Sequence, residues 1–178
     1  DEIRKKEPNL SKDVVAALYV STGAIVCPFN LTIALAENAN MNGVEFNFNS
    51  EVCSITKEDD LFHVHTKDSE YITKLVINAA GVYADKIHNM ICEDSMKITA
   101  RSGEYCLYDK KVGNLVTSTI FQLPSKLGKG VLVTPTVHGN LLVGPNAIDT
   151  DNNEKTNTTK EGLDTVQEKA SRSIKAVP

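Results

Sequence analysis

The chain opens with a strand-like run that is followed by a helical pattern. Residues 14–20 (VVAALYV) are rich in β-branched and aromatic side chains and end at a Ser-Thr-Gly turn, which predicts a strand. Pro28 suits the first turn of a helix, apolar residues then recur at helical spacing, and Gly43 provides a stop. The pattern therefore predicts a helix between Pro28 and Gly43, followed by a short strand at 44–48.

Three further strand candidates follow at short intervals. They are residues 51–56 (EVCSIT), 61–66 (LFHVHT) and 71–77 (YITKLVI), separated by polar turns. Short polar connections between such runs predict an antiparallel meander. The third run leads directly into Asn-Ala-Ala-Gly at 78–81, where small residues indicate close approach to the backbone, and residues 82–91 then have helical character.

The second half of the chain alternates strand-like runs with Gly, Pro and Asn. The runs are 104–109, 116–123, 131–136 and 140–143, and the last two form a predicted hairpin. A polar linker at 149–157 precedes TTKE at 158–161, which matches a capping box and predicts a final amphipathic helix. The order of elements predicts an α+β (mixed α/β) fold with largely antiparallel sheets.

Charge and cysteine usage narrow the classes of partner. The 178 residues carry a formal charge of −4 with interspersed signs, which gives no reason to expect nucleic acid or an anionic membrane surface as a partner. Membrane association of the complete protein stays open. No run approaches the roughly 20 apolar residues of a spanning helix. The four cysteines include no CxxC pair, which favours reduced, mostly buried thiols in a cytoplasmic protein over a zinc or iron–sulfur site.

The stretch from 76 to 85 (VINAAGVYAD) resembles the second flavin-domain signature of the D-amino-acid-oxidase-type FAD oxidoreductases. Within that superfamily the chain is most similar to the FAD-dependent glycerol-3-phosphate dehydrogenase group. The similarity rests on EPNL at 7–10, residues 23–28, RSGEY at 101–105 and GVLVTPTVHGNLLVGPN at 130–146. It implies that residues 25–90 are the middle of an FAD-binding domain. Residues 1–24 and 91–178 would then form a substrate-binding cap.

The resemblance also implies the cofactor contacts. The backbone of Val52 would meet the adenine of FAD, and Ala79, Ala80 and Gly81 would lie where the chain passes the cofactor, since bulky side chains there would exclude it. A complete member begins with a G-x-G-x-x-G phosphate cradle, and none of the ten glycines takes that spacing. With the charged start at 1–6 and the abrupt end at 175–178, this predicts an internal piece, inactive alone and without tight FAD binding.

The implied reaction removes hydride from a carbon that bears a hydroxyl, on a small anionic substrate, and delivers it to FAD. Arg101 is the best candidate to bind the substrate's phosphate or carboxylate, with an ordinary surface arginine as the alternative. Gln122, Thr134 and His138 are further candidates on the cap sheet, although the position of His138 in a predicted turn favours an exposed residue. No catalytic base is identified.

Other polar features have simpler interpretations. His63 and His65 alternate along one strand, where a metal pair is possible but no third ligand is evident, so no metal is expected. Lys126 and Lys129 lie in a glycine-containing basic loop that suits an anionic substrate or, more commonly, solvent.

Three functions remain open at this point. The first is oxidation of sn-glycerol 3-phosphate to dihydroxyacetone phosphate by the complete protein. The second is oxidation of a 2-hydroxy acid such as 2-hydroxyglutarate by a related FAD enzyme. The third is a non-catalytic binding module, in which the exposed edge of the flavin domain promotes self-association.

Overall fold

The computed structural model describes residues 2–124 and 130–177. Lys126 and Lys129 therefore lie outside the described residues. The helices are α1 (Glu2–Lys6), α2 (Pro28–Met41), α3 (Ala84–His88) and α4 (Lys160–Ser171). The strands are β1 (Val52–Glu58), β2 (Leu61–Thr66), β3 (Glu70–Thr73), β4 (Ala100–Ser102), β5 (Cys106–Tyr108), β6 (Leu132–Pro135), β7 (Leu141–Gly144) and β8 (Ile148–Thr150).

The described strands form three sheets in the orders β1-β2-β3, β4-β8 and β5-β7-β6. Both three-stranded sheets are antiparallel throughout. The predicted mixed α and β fold with antiparallel sheets is confirmed, as are the meander and the hairpin that joins β6 to β7.

The chain divides into two compact units. One contains the chain up to Leu35, Arg101–Ile148 and the chain from Lys155 onward, and the other contains Ala36–Ala100 and Asp149–Glu154. We refer to them as the discontinuous unit and the meander unit. The functional division into a flavin part at 25–90 and a cap stays a prediction.

The core of the discontinuous unit lies between the β5-β7-β6 sheet and α4. Alternate residues of β6 and β7 point toward the helix, because side chains along a strand alternate between faces. In α4 and just after it, residues three to four positions apart form the matching apolar stripe. The buried residues of this cluster are Val116, Val131, Val133, Leu141, Val143, Val166, Ala170 and Ile174.

The meander unit is built on direct cross-strand pairs. In β1 and β2, Ile55 lies opposite Val64, and Ile55 is buried. The neighbouring pair, Thr56 and His63, points to the other face of the sheet. There His63 Nδ1 lies 2.8 Å from Glu70 Oε1, and this hydrogen bond is the main reason that the pKa of Glu70 is lowered.

Two predicted strands are wrong. Residues 14–20 and 44–48 have no strand pairing, and Val15 and Leu18 are 95% and 90% exposed. Strand propensity describes how a side chain fits a pleated surface, but a strand exists only where a neighbour completes its backbone hydrogen bonds. None of the segments in 2–124 and 130–177 supplies that neighbour.

Four other predicted elements are shorter in the structure. The third meander strand ends at Thr73 rather than residue 77, and residues 104–109 contribute only β5. The run at 116–123 pairs only through the single bridge between Ile120 and Val133. Residues 82–91 form a 3-10 turn followed by the short helix α3.

Candidate functional site

The small-residue turn after β3 is held by one asparagine. Asn78 Nδ2 donates to the carbonyl of Ala84 over 2.8 Å, and Asn78 Oδ1 accepts from the N–H of Ala80 over 3.3 Å. Ala79, Ala80 and Gly81 are exposed. Gly81 has φ of +57°, and a Cβ added there would meet no atom within 4 Å among the described residues. The turn thus presents an open, unobstructed stretch of backbone.

This geometry fits a cofactor that lies flat against the chain. Small side chains leave the backbone of 79–81 accessible, and the positive φ of Gly81 is a conformation in which larger residues are strained. Val52, the predicted adenine contact, is half-buried at the start of β1, next to a register irregularity between Val52 and Ser54. When bound, FAD would supply the hydride acceptor, and the assignment of Val52 and the 79–81 turn as residues that would hold it stays a prediction.

A carboxylate fixes the helix that follows the turn. Asp85 Oδ1 accepts from the N–H of Lys86 over 2.8 Å, and Asp85 Oδ2 accepts from the N–H of Ile98 over 2.9 Å. The bond from Ile98 is the largest cause of the lowered pKa of Asp85. Asp85 is the last residue of the flavin signature, so its place in that motif has a structural reason besides any contact with cofactor.

A bulky residue in the open turn is expected to exclude FAD without unfolding the protein. The variant Ala80→Phe adds a large side chain at an exposed position, so it removes little packing. In the complete protein we expect at least a fivefold loss of bound flavin, measured as the ratio of 450 nm to 280 nm absorbance after purification. The matched control is Ser69→Phe on the exposed β2–β3 connection. Equal flavin content in both variants would contradict the placement of the cofactor.

Two of the predicted substrate residues have identified side-chain partners in the discontinuous unit. Thr134 Oγ1 lies 2.6 Å from Thr119 Oγ1 on a half-buried part of β6. Gln122 Nε2 donates to the carbonyl of Lys169 over 2.5 Å and to Ser173 Oγ over 3.1 Å. The amide of Gln122 therefore caps the last turn of α4, which leaves it fewer groups for a ligand.

The other two predicted substrate residues are exposed. His138 lies in the turn between β6 and β7, where the N–H of Thr136 donates to the carbonyl of Asn140 over 2.8 Å. Arg101 lies on β4 and is not free of partners within the structure. The structure brings Thr134 together with Thr119 and does not bring all four predicted residues together. Their role as substrate contacts stays a prediction.

Sequence reasoning missed a buried carboxylate centred on Glu104, which is 5% exposed. Its Oε1 accepts from the N–H of Thr159 over 2.6 Å and from Thr159 Oγ1 over 2.9 Å. Its Oε2 accepts from Asn146 Nδ2 over 2.5 Å, and its own N–H donates to Asn146 Oδ1 over 2.8 Å. The bond from Asn146 is the largest cause of the lowered pKa of Glu104, against the opposing effect of desolvation.

The Glu104 carboxylate completes the cap of α4 from a distant part of the chain. The N-cap is Thr159, whose Oγ1 accepts from the N–H of Gly162 over 3.0 Å. The predicted capping box placed the cap at Thr158 and its acid at Glu161, and this register is wrong by one residue. In a capping box, a glutamate at the N3 position accepts a hydrogen bond from the N–H of the N-cap residue. Here the N3 residue is Gly162, which has no side chain, and Glu104 accepts from the N–H of Thr159 instead.

The network fits tightly around Gly162. A Cβ added at that glycine would overlap Glu104 Oε2, so only glycine leaves room for the carboxylate. Residues 102–105 and 155–158 line an open cleft of about 420 Å³ beside it. A sequence signal did exist, because Glu104 and Asn146 belong to the two motifs, RSGEY and GPN, that carry the family resemblance.

A second buried carboxylate has a similar structural task. Glu7, in the EPNL segment, accepts from the N–H and the hydroxyl of Thr117, at 3.1 Å and 2.6 Å from its Oε1. Its Oε1 also accepts from the N–H of Ser118 over 2.7 Å. Glu7 therefore fastens the segment after α1 to the loop before the Ile120 bridge, rather than facing an open ligand site.

The described residues offer neither a cluster of metal-binding side chains nor a membrane-spanning helix. In 2–124 and 130–177, no group of three or more His, Cys, Asp or Glu side chains is arranged to hold a metal ion. Over the same ranges, none of the helices is both long enough and apolar enough to cross a membrane.

Comparisons with known proteins place these features in context. Residues 1–177 match the protein family described as FAD dependent oxidoreductase, DAO. The chain is 52% identical over its full 178 residues to a glycerol 3-phosphate dehydrogenase from Caloramator mitchellensis, of which it covers 37%. It is 28% identical over 152 residues, 83% of the chain, to an L-2-hydroxyglutarate dehydrogenase from Escherichia coli, of which it covers 36%.

A solved structure of a similar protein has the same fold over this stretch. L-alpha-glycerophosphate oxidase from Mycoplasma pneumoniae, reduced with dithionite and with FAD bound, superimposes with a TM-score of 0.89 at 30% identity. The match covers 99% of this chain and 47% of that protein. The chain therefore spans less than half the length of each of these three similar proteins.

Proposed function

Because the chain belongs to the DAO family of FAD-dependent oxidoreductases, we propose that the complete protein oxidises sn-glycerol 3-phosphate to dihydroxyacetone phosphate, with FAD as hydride acceptor. The observation that carries this proposal is the 52% identity to a glycerol 3-phosphate dehydrogenase over the whole chain. The resemblance of the fold to an FAD-bound glycerophosphate oxidase supports it independently of the sequence motifs.

The residues of this chain have separable tasks in that reaction. The 79–81 turn leaves backbone free for the cofactor. Asp85 holds the segment at Ile98, and Glu104 separately holds the start of α4 at Thr159. Arg101 supplies a permanent positive charge suited to a phosphate, and Thr134 supplies a hydroxyl for a polar group of the substrate. The proton of the carbinol hydroxyl goes to a base, and none of the residues described here is assigned that role.

The direct test is reduction of the bound flavin under anaerobic conditions. The complete protein is mixed with glycerol 3-phosphate or with L-2-hydroxyglutarate, and loss of the 450 nm absorbance is followed. Bleaching by glycerol 3-phosphate alone is the expected result. Bleaching by the hydroxy acid alone would replace the proposed substrate with the second candidate, which the similarity to an L-2-hydroxyglutarate dehydrogenase favours. A complete protein without flavin would overturn both.

Neutralising Arg101 is expected to weaken substrate binding more than it slows chemistry. The variant Arg101→Gln removes a charge-assisted contact with the phosphate, so KM rises about tenfold or more while kcat falls less. The matched control is Arg172→Gln, since Arg172 is exposed and pairs with Glu168 across one helical turn at 3.6 Å. Steady-state kinetics of both variants check the prediction, and equal KM values would contradict it.

Two smaller proposals concern the cellular location of the protein and the association of this stretch when it is produced by itself. The four cysteines are free thiols, exposed or half-buried rather than mostly buried as the sequence predicts. Free thiols support a reducing, cytoplasmic location. Exposed apolar residues in this stretch, including Phe29 and Ile77, support self-association of the stretch when it is produced by itself, as in the non-catalytic alternative. A molecular mass that rises with concentration in solution would favour that alternative for the isolated stretch.

A further inference from the structure

One face of the β5-β7-β6 sheet is closed by α4, and the opposite face is partly open. Val133 is fully buried on the α4 side, so its neighbour Thr134 points to the open face. In register across the sheet, Thr134 lies opposite Leu142, and Leu142 lies opposite Leu107, which is 66% exposed. Within the described strands, this row places Thr134 beside Leu142, with Leu107 one strand further on.

A short segment outside the sheet brings a second hydroxyl to Thr134. Ile120 and Val133 exchange two backbone hydrogen bonds, of 2.8 Å and 3.2 Å. Because that pairing is antiparallel, the preceding residue Thr119 lies opposite Thr134, and their Oγ1 atoms are 2.6 Å apart. The loop that carries Thr119 is itself fastened by Glu7 through the N–H groups of Thr117 and Ser118.

One arrangement of protons satisfies both hydrogen bonds of this hydroxyl pair. Each threonine hydroxyl has one proton to donate and two lone pairs that accept. Thr134 Oγ1 donates to the carbonyl of Pro135 over 3.1 Å, so its proton is used there. Either hydroxyl could donate in the 2.6 Å contact between them, and with the proton of Thr134 directed at Pro135 the donor there is Thr119. In that arrangement both protons are engaged, and Thr134 offers the open face a lone pair.

We infer that Thr119 is a positioning residue that holds Thr134 as an acceptor for the substrate's hydroxyl group rather than for its anionic group. An acceptor pairs with the O–H of a carbinol and repels the oxygens of a phosphate or carboxylate. The inference rests on the proposed function, since it assigns one polar group of that substrate to one atom of this chain. It also makes the pair a determinant of specificity for hydroxylated over deoxy ligands.

The test measures binding rather than turnover. Complete protein reduced with dithionite cannot oxidise substrate, so calorimetric titration gives Kd for glycerol 3-phosphate and for its 2-deoxy analogue, 3-hydroxypropyl phosphate. In Thr119→Val we expect Kd for glycerol 3-phosphate to rise about 5- to 10-fold while Kd for the analogue stays unchanged. Thr119→Ser, which keeps the hydroxyl, should lie within about twofold of the unaltered protein.

A double variant separates positioning from structure. If Thr119 acts through Thr134, Thr119→Val combined with Thr134→Val matches Thr134→Val alone, because the two effects are not additive. Equal weakening of both ligands, or no weakening of either, would overturn the inference. If the unaltered protein binds glycerol 3-phosphate no better than its analogue, the proposed substrate is wrong instead. The same comparison with 2-hydroxyglutarate and glutarate then decides the role of Thr119.

Discussion

Replacing Gly162 with alanine is expected to destabilise the complete protein by about 2–3 kcal/mol, the scale of overpacking a filled site. In an isolated helix the same change stabilises by about 1 kcal/mol, since alanine is the better helix former. The sign reverses here because the new Cβ overlaps Glu104 Oε2 and displaces the carboxylate from Thr159 and Asn146. The midpoint of thermal unfolding checks the prediction.

Two further variants make this result specific to the contact. Thr165→Ala, one turn further along α4, raises helix propensity without a steric conflict and should leave the midpoint unchanged or slightly higher. In a Glu104→Ala background the space beside Gly162 is free, so adding Gly162→Ala should cost less than in the unaltered protein. Equal costs in the two backgrounds would show that the carboxylate is not what excludes the Cβ.

Replacing Glu104 with glutamine is expected to lower stability strongly at neutral pH and much less in acid. A glutamine amide keeps one acceptor oxygen and places an NH2 group at the other position, so either the donors of Thr159 or the amide of Asn146 lose their acceptor. The native pKa of Glu104 is lowered from 4.5, mainly by the bond from Asn146. Its stabilising effect is therefore complete above about pH 4.5 and is lost as the pH falls through the lowered native pKa.

Thermal midpoints between pH 3.5 and 7.5 test this pH dependence. The difference between the unaltered protein and Glu104→Gln should be constant near neutrality and shrink in the acid part of the range. The control is Glu161→Gln, which makes the same change at an exposed position in the first turn of the same helix. A difference that does not depend on pH would mean that the carboxylate charge is not what stabilises the α4 cap.

Elements with a complete local signal were predicted from the sequence. The helix from Pro28 has its own start and stop, and the meander strands β1 and β2 are bounded by polar turns, so few tertiary contacts were needed to define them. The failures at 14–20 and 44–48 have one physical origin. Their composition suits a strand, but pairing depends on a partner segment, and composition does not say whether one lies alongside.

The candidate site likewise contains features that the local sequence predicts and contacts that it does not. The small side chains at 79–81 predict an accessible backbone, and in the structure this turn is open. The interactions of Glu104 with Thr159 and of Thr119 with Thr134 join segments that are distant in sequence, so periodicity and spacing give no sign of them. The family motifs contained Glu104 and Asn146, but a motif does not say whether a residue binds substrate or holds the scaffold.

The backbone pairing of Leu10 with Ile174 has a consequence during synthesis. Ser11 and Lys175 add backbone hydrogen bonds of 2.9 Å and 3.0 Å to the same antiparallel contact. Leu10 leaves the ribosome long before its partner, whereas residues 36–100 of the meander unit emerge together. Residues 36–100 are thus able to fold before this contact can form, and the segment around Leu10 stays available to chaperones and proteases until residues 173–175 have been translated.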